Sequence, residues 1–103
     1  MWQVNLEAGY PRFRPHIWRG PDLADATCLA EIDLRPFIDV QLHKSYHLRI
    51  EVDGDVARTY IDDVLIDTRT NPDGGDYGYG TVGIRQDRAL NNYNDTERAY
   101  FDN

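Results

Sequence analysis

The sequence predicts an all-β fold, an antiparallel β-sandwich in a single domain over residues 1–103. Three observations predict it. Apolar residues recur with a period of two through most of the chain, the pattern of half-buried strands. Turn-forming residues punctuate these runs at short intervals. No stretch carries a long apolar stripe at helical spacing.

The elements follow in order. "MWQVNLE" sets Trp2, Val4 and Leu6 on one side and Gln3, Asn5 and Glu7 on the other. Trp2 is therefore expected in the core. "AGYP" turns the chain, and "RFRPHIWR" returns with Phe13 and Ile17 opposed to Arg12, Arg14, His16 and Trp18. Pro15 cannot donate a ladder hydrogen bond, which predicts an edge or a bulge at that point. After the connection "GPDLADA", the stretch "TCLAEIDLR" reads as one strand with Cys28, Ala30, Ile32 and Leu34 inward. Cys28, the only cysteine, is then expected to be a buried thiol, with no intrachain disulfide and no cysteine metal cluster.

"FIDVQLHKS" fits either a short helical turn or a loop. The clearest signal is "YHLRIEVDGDVARTYIDDVLIDT". Tyr46, Leu48, Ile50 and Val52 alternate with His47, Arg49, Glu51 and Asp53, and tight turns at Asp53-Gly54 and Asp62-Asp63 predict a three-stranded meander. "NPDGGDYGYG" is a long loop. "TVGIRQ" and "ERAYFDN" read as closing strands, joined by the polar "DRALNNYND".

A formal charge of −7 on 103 residues argues against nucleic acid or an anionic membrane surface as partner, since phosphate binding needs clustered cations. The same charge suits a neutral ligand or a cation. No apolar stretch is long enough to span a bilayer, and Trp2, Asn5 and Glu7 interrupt any signal-peptide pattern at the start.

"YHLRIEVDGDVARTYIDDVLID", "GTVGIRQ" and "ERAYFDN", preceded by "MWQ" and "RPH", together resemble the C-terminal part of the concanavalin A-like (laminin-G-type) β-sandwich domains attached to bacterial glycoside hydrolases. The resemblance runs over almost the whole chain and is nearest to the sandwich module of bacterial α-L-rhamnosidases. It implies a jelly-roll topology, incomplete here at both ends because the family domain starts earlier and continues past "FDN". Unpaired strand edges would follow, favouring a homodimer or strand-exchanged oligomer. Asp63 stands where such domains usually carry glycine, so its turn must hold an aspartate in an unusual conformation or change type. Some of these modules bind rhamnose with the help of calcium, through an Asp/Asn segment lying before the part matched here.

Glu31 and Asp33 share one face of their strand, as do acidic residues in retaining glucanases of this fold. That mechanism needs a second glutamate, about 5–5.5 Å from the first. Arg35 or Pro36 occupies the required position, and Arg35 is expected to pair with Asp33 and keep it ionised. Ser45 and His47 are not expected to form a relay, and His16, His43 and His47 lack a zinc-like spacing. The chain itself is therefore expected to be non-catalytic.

Binding is the better prospect. A sugar site needs an aromatic face and planar polar side chains on rigid strands. The first hairpin would bring Gln3 and Asn5 near Arg14 and His16, with Trp18 at the margin, and Tyr77 and Tyr79 in the glycine-rich loop could cover a sugar. Asp73 and Asp76 of that loop are weak candidates for calcium, lacking an EF-hand spacing. The favoured expectation is a carbohydrate-binding accessory domain of a bacterial α-L-rhamnosidase-type glycoside hydrolase. The rival is a structural domain that packs on the catalytic domain without its own ligand, and glucanase-like hydrolysis stands third.

Overall fold

The computed structural model describes residues 2–5, 10–41 and 43–78. The expected strands "TVGIRQ" and "ERAYFDN" lie outside the described residues. Among the described residues seven strands form two antiparallel sheets: β1 (Trp2–Asn5), β2 (Arg12–Trp18), β3 (Ala26–Cys28), β4 (Ile32–Asp33), β5 (Leu48–Asp53), β6 (Val56–Ile61) and β7 (Val64–Thr70). The only helical element among the described residues is a 3-10 turn, Leu23–Asp25. The fold is all-β, as the alternation predicts.

In the first sheet β2 is central, with β1 on one edge and β3 followed by β4 on the other. In the second sheet β6 is central, between β5 and β7. The sheets meet through a small core. Phe13 and Leu34 from the first side and Ile61 and Ile66 from the second are buried together, with Ile32, Ile38, Val40 and Tyr46 packed against them. Burying apolar surface from both layers at once is what makes two sheets one unit.

The stretch read as one strand, "TCLAEIDLR", is broken. Cys28 faces His16 and Ile32 faces Phe13, so four steps along one strand match three along β2. One residue between them is extra, which is a β-bulge, and it reverses the side-chain parity. Downstream of the bulge Leu34 is fully buried and Ile32 lies on the core, as expected. Upstream, Cys28 shares the outward face with its register partner His16 and is exposed. The expected buried thiol is therefore a surface thiol. Pro15 sits opposite this irregularity, where its carbonyl accepts from the Leu29 amide at 2.9 Å, so β2 tolerates a proline without being an edge.

The meander has two different two-residue turns. The first joins Asp53 to Val56 through Gly54 and Asp55, one residue later than expected, with φ of +59° at Gly54 alone, the type II′ pattern. The second joins Ile61 to Val64 with φ of +49° at Asp62 and +63° at Asp63, the type I′ pattern. Aspartate at position 63 thus keeps the turn in the left-handed region rather than changing it. Asp62 contributes further, its carboxylate accepting from the His47 amide at 2.8 Å. A second bulge, between Thr59 and Tyr60 on the β6–β7 ladder, lets Ile66 reach the core while Leu65 stays exposed.

"FIDVQLHKS" opens on a turn, with the Phe37 and Ile38 amides both donating to Leu34 O at 3.0 Å, and continues without regular structure. The β5 residues Leu48, Ile50 and Val52 share a face with the buried Ile61, Thr59 and Ala57 but remain exposed, since the core lies over β6 and β7.

Two outcomes follow. Asp63→Gly raises the unfolding free energy by about 0.5–1 kcal/mol in urea melts, because glycine has no Cβ penalty at positive φ. Its ion pair with Arg49, at 3.6 Å with the Asp63 side chain 80% exposed, offsets little of this. Cys28 reacts with a thiol reagent in the folded protein; protection that lifts only in denaturant would contradict the bulge.

Candidate functional site

The candidate site is the outward face of the first sheet. Strand alternation sets Arg12, Arg14, His16 and Trp18 in one row on β2, and Arg14 to Trp18 covers about 13 Å at strand rise. The backbone register brings Gln3 opposite Arg14, as expected, while Asn5 falls opposite Arg12 instead of Arg14 or His16. Across the other edge, Glu31 joins the row. Its Oε1 lies 2.7 Å from Arg12 Nη1 and 3.5 Å from Arg14 Nε. The second distance is ion-pair range without a hydrogen bond, so the buried Arg14 Nε–H has no hydrogen-bond acceptor among the described residues.

Local structure fixes the other members of the row. His16 Nδ1 lies 3.0 Å from the Arg14 carbonyl. The Trp18 indole donates to the Asp22 carbonyl at 2.9 Å. That carbonyl is positioned by the turn into Leu23–Asp25, where Asp25 N donates to Asp22 O and the Asp22 amide donates back to Asp25 Oδ2. A side chain at Gly20 would collide with this same Asp25 carboxylate, its Cβ falling 2.2 Å from Oδ2. The half-buried indole is thus held across a tight, self-bonded connection.

The loop after β7 is drawn to this end of the sheet. Arg19 makes a bidentate pair with Asp73, Nη2 to Oδ1 at 2.7 Å and Nε to Oδ2 at 3.0 Å. These side-chain hydrogen bonds, with the charge of Arg19, hold the Asp73 carboxyl below its ordinary value. Asn71 organises the loop itself, its side-chain amide reaching Gly74 O and Gly75 O and its Oδ1 accepting from the Asp73 amide. Asn71 N and Tyr77 N then bond to Asp55 O and Gly54 O, fastening the loop to the first meander turn.

Asp73 is committed to Arg19, and no group of three or more acidic, histidine or cysteine ligands forms among the described residues. Asp76 lies instead near Gly54, where the Cβ of any larger residue would meet Asp76 Oδ1 at 3.4 Å. Tyr77 is half-buried rather than an open platform. Burial raises its hydroxyl above the ordinary value, with Arg69 pulling it down and Asp55 and Asp67 reinforcing the rise. Tyr79 lies outside the described residues.

Of the two acidic residues weighed for catalysis, Glu31 is taken up by Arg12 and Arg14. Asp33 is chelated by Arg35, Nη2 to Oδ2 at 2.7 Å and Nε to Oδ1 at 3.0 Å, with the Arg35 amide also donating to it at 2.9 Å. These bonds lower the Asp33 carboxyl below its ordinary value, so it holds no proton to donate near neutrality.

One cluster escaped the sequence reading. The guanidinium groups of Arg12 and Arg35 each lie 5.0 Å from the centroid of the Tyr10 ring, beside a shallow cleft of about 300 Å³ lined by Pro11, Arg35, Ile38, Asp39 and Val40. Tyr10 and Arg35 come together only because β2 pairs with β4, and no local motif signals that pairing.

Replacing Arg35 tests the electrostatics. In Arg35→Ala the Asp33 carboxyl titrates at a higher pH, read by NMR. Because Asp33 is depressed in the folded protein, the stabilisation from this pair is present above the unfolded carboxyl pKa and is lost as pH falls through the lower folded value. The variant therefore loses stability relative to the parent at neutral pH and converges with it in acid. Comparisons of this chain with protein-family models, with curated proteins and with solved structures return no match.

Proposed function

We propose that this chain is a non-catalytic carbohydrate-binding module with a concanavalin A-like jelly-roll topology, an accessory to a bacterial α-L-rhamnosidase-type glycoside hydrolase. The observation that carries the binding reading is the row Arg14, His16 and Trp18 on the outward face of the first sheet. Planar donors and an indole spaced along a rigid strand suit neutral hydroxylated rings, which stack on aromatic faces and accept hydrogen bonds from fixed donors. A neutral ligand also suits a chain whose net charge is −7. The hydrolase context rests on the sequence resemblance.

A second reading has its own support. Glu31 already pairs with Arg12 and Arg14, and the Trp18 indole N–H is satisfied by Asp22, so much of this face is bonded within the chain. A structural domain packing its face on a catalytic neighbour would look like this too.

Calorimetric titration with L-rhamnose and rhamnose-containing glycans separates the two. The binding reading expects saturable heat that Trp18→Ala and Arg14→Ala each reduce by about tenfold or more while the melting curve stays cooperative. No heat from a folded sample, with any of these sugars, overturns it in favour of the structural reading.

A further inference from the structure

β5 is an edge strand among the described residues, paired with β6 alone. Its sequence from Leu48 to Val52 reads apolar, plus, apolar, minus, apolar, which is symmetric about Ile50 in shape and antisymmetric in charge. We propose that β5 is a self-pairing edge: two copies of this chain join antiparallel through residues 48–52, about a two-fold axis at Ile50.

The backbone phase comes first. Residues flanking a two-residue hairpin turn exchange hydrogen bonds, so Asp53 and Val56 form such a pair. Alternation then turns the amides and carbonyls of Asp53, Glu51 and Arg49 toward β6. The Asp62 amide donating to His47 O at 2.8 Å is in the same phase. Leu48, Ile50 and Val52 therefore present their N–H and C=O groups to the edge away from β6, which no other described strand pairs. An antiparallel partner must pair these residues with its own 48, 50 and 52.

Charge then selects the register. Shifting by two residues in one direction sets Arg49 against Arg49 of the second copy; shifting in the other sets Glu51 against Glu51. The register centred on Ile50 sets each Arg49 against Glu51 of the second copy, Ile50 against Ile50, and Leu48 against Val52. Opposite charges directly across a ladder stabilise it and like charges oppose it. Symmetry repeats every contact, as an isologous dimer requires.

The side chains are already presented for this. Tyr60 donates to Glu51 Oε2 at 3.1 Å, and the Arg49 guanidinium lies 3.9 Å from the centroid of the same ring. The Arg49 guanidinium also donates to Glu51 Oε1 of its own chain, so the two charged groups are held together on one face and the second copy would exchange or share this pair. On the other face Leu48, Ile50 and Val52 are 48%, 43% and 55% exposed, an apolar row that pairing would double in width and partly cover. The product is a continuous six-stranded sheet, β7-β6-β5 of one copy followed by β5-β6-β7 of the other.

Sedimentation equilibrium tests the proposal with a set of charge reversals. The parent chain is expected to be a concentration-dependent dimer. Arg49→Glu and Glu51→Arg each place like charges across the ladder twice and weaken the dimer by about tenfold or more. Combining both reversals in one chain restores it. Mixing the two single variants restores it as well, because the glutamate introduced at position 49 of one copy then faces the arginine introduced at position 51 of the other. Far-UV circular dichroism checks that each variant keeps its sheet. A parent chain that stays monomeric at the highest soluble concentration overturns the proposal, as does a dimer indifferent to the single reversals or a mixture that fails to pair. A monomer whose Leu48, Ile50 and Val52 amides exchange slowly with solvent overturns it too, because another part of the chain then occupies the edge.

Discussion

Among the described residues, the two sheets are joined through a small shared apolar core. Phe13, Leu34, Ile61 and Ile66 are the buried apolar side chains of the shared core, and a ring of half-buried neighbours from residues 32–46 seals them. Small domains have a thin margin of buried surface, so each such contact matters to whether the layers stay joined. Leu34 reaches that core only because one extra residue stands between Cys28 and Ile32. The same extra residue delivers Glu31 to Arg12 and Arg14 on the opposite face. Core and candidate site are thus set by one local irregularity in the ladder.

That irregularity marks the boundary of what sequence could say. The meander was legible because turn chemistry and period-two alternation agreed over residues 46–68. The strand "TCLAEIDLR" was not, because its even-numbered residues look like one apolar row, and a bulge that reverses parity leaves no mark on the pattern. Leu34 and Cys28 obey the same alternation and end on opposite faces. Pro15 was the available clue, and the bulge lies across the ladder from it.

The site was legible in part for similar reasons. The row Arg14, His16 and Trp18 follows from alternation within one strand, and the Asp33–Arg35 pair from neighbours two residues apart. Arg19 with Asp73, and Tyr10 between two arginines, depend on where loops meet in space. Asp73 shows how this changes chemistry. Read alone it is an oxygen ligand in a glycine-rich loop, whereas with Arg19 upon it the carboxylate serves to fasten that loop to the first sheet.

The second meander turn carries a consequence for how this sequence can drift. Asp62 and Asp63 both sit at positive φ, a region that aspartate, asparagine and glycine enter at modest strain and β-branched residues do not. A single base change turns an aspartate codon into one for asparagine or glycine, and equally into one for valine. At position 63 the first two keep the turn. At position 62 asparagine alone also keeps an oxygen for the His47 amide. Valine at either place would set backbone strain against the pairing of β6 with β7. The hairpin thus divides neighbouring genotypes into tolerated and disfavoured ones by a rule of backbone sterics, independent of whatever ligand the domain serves.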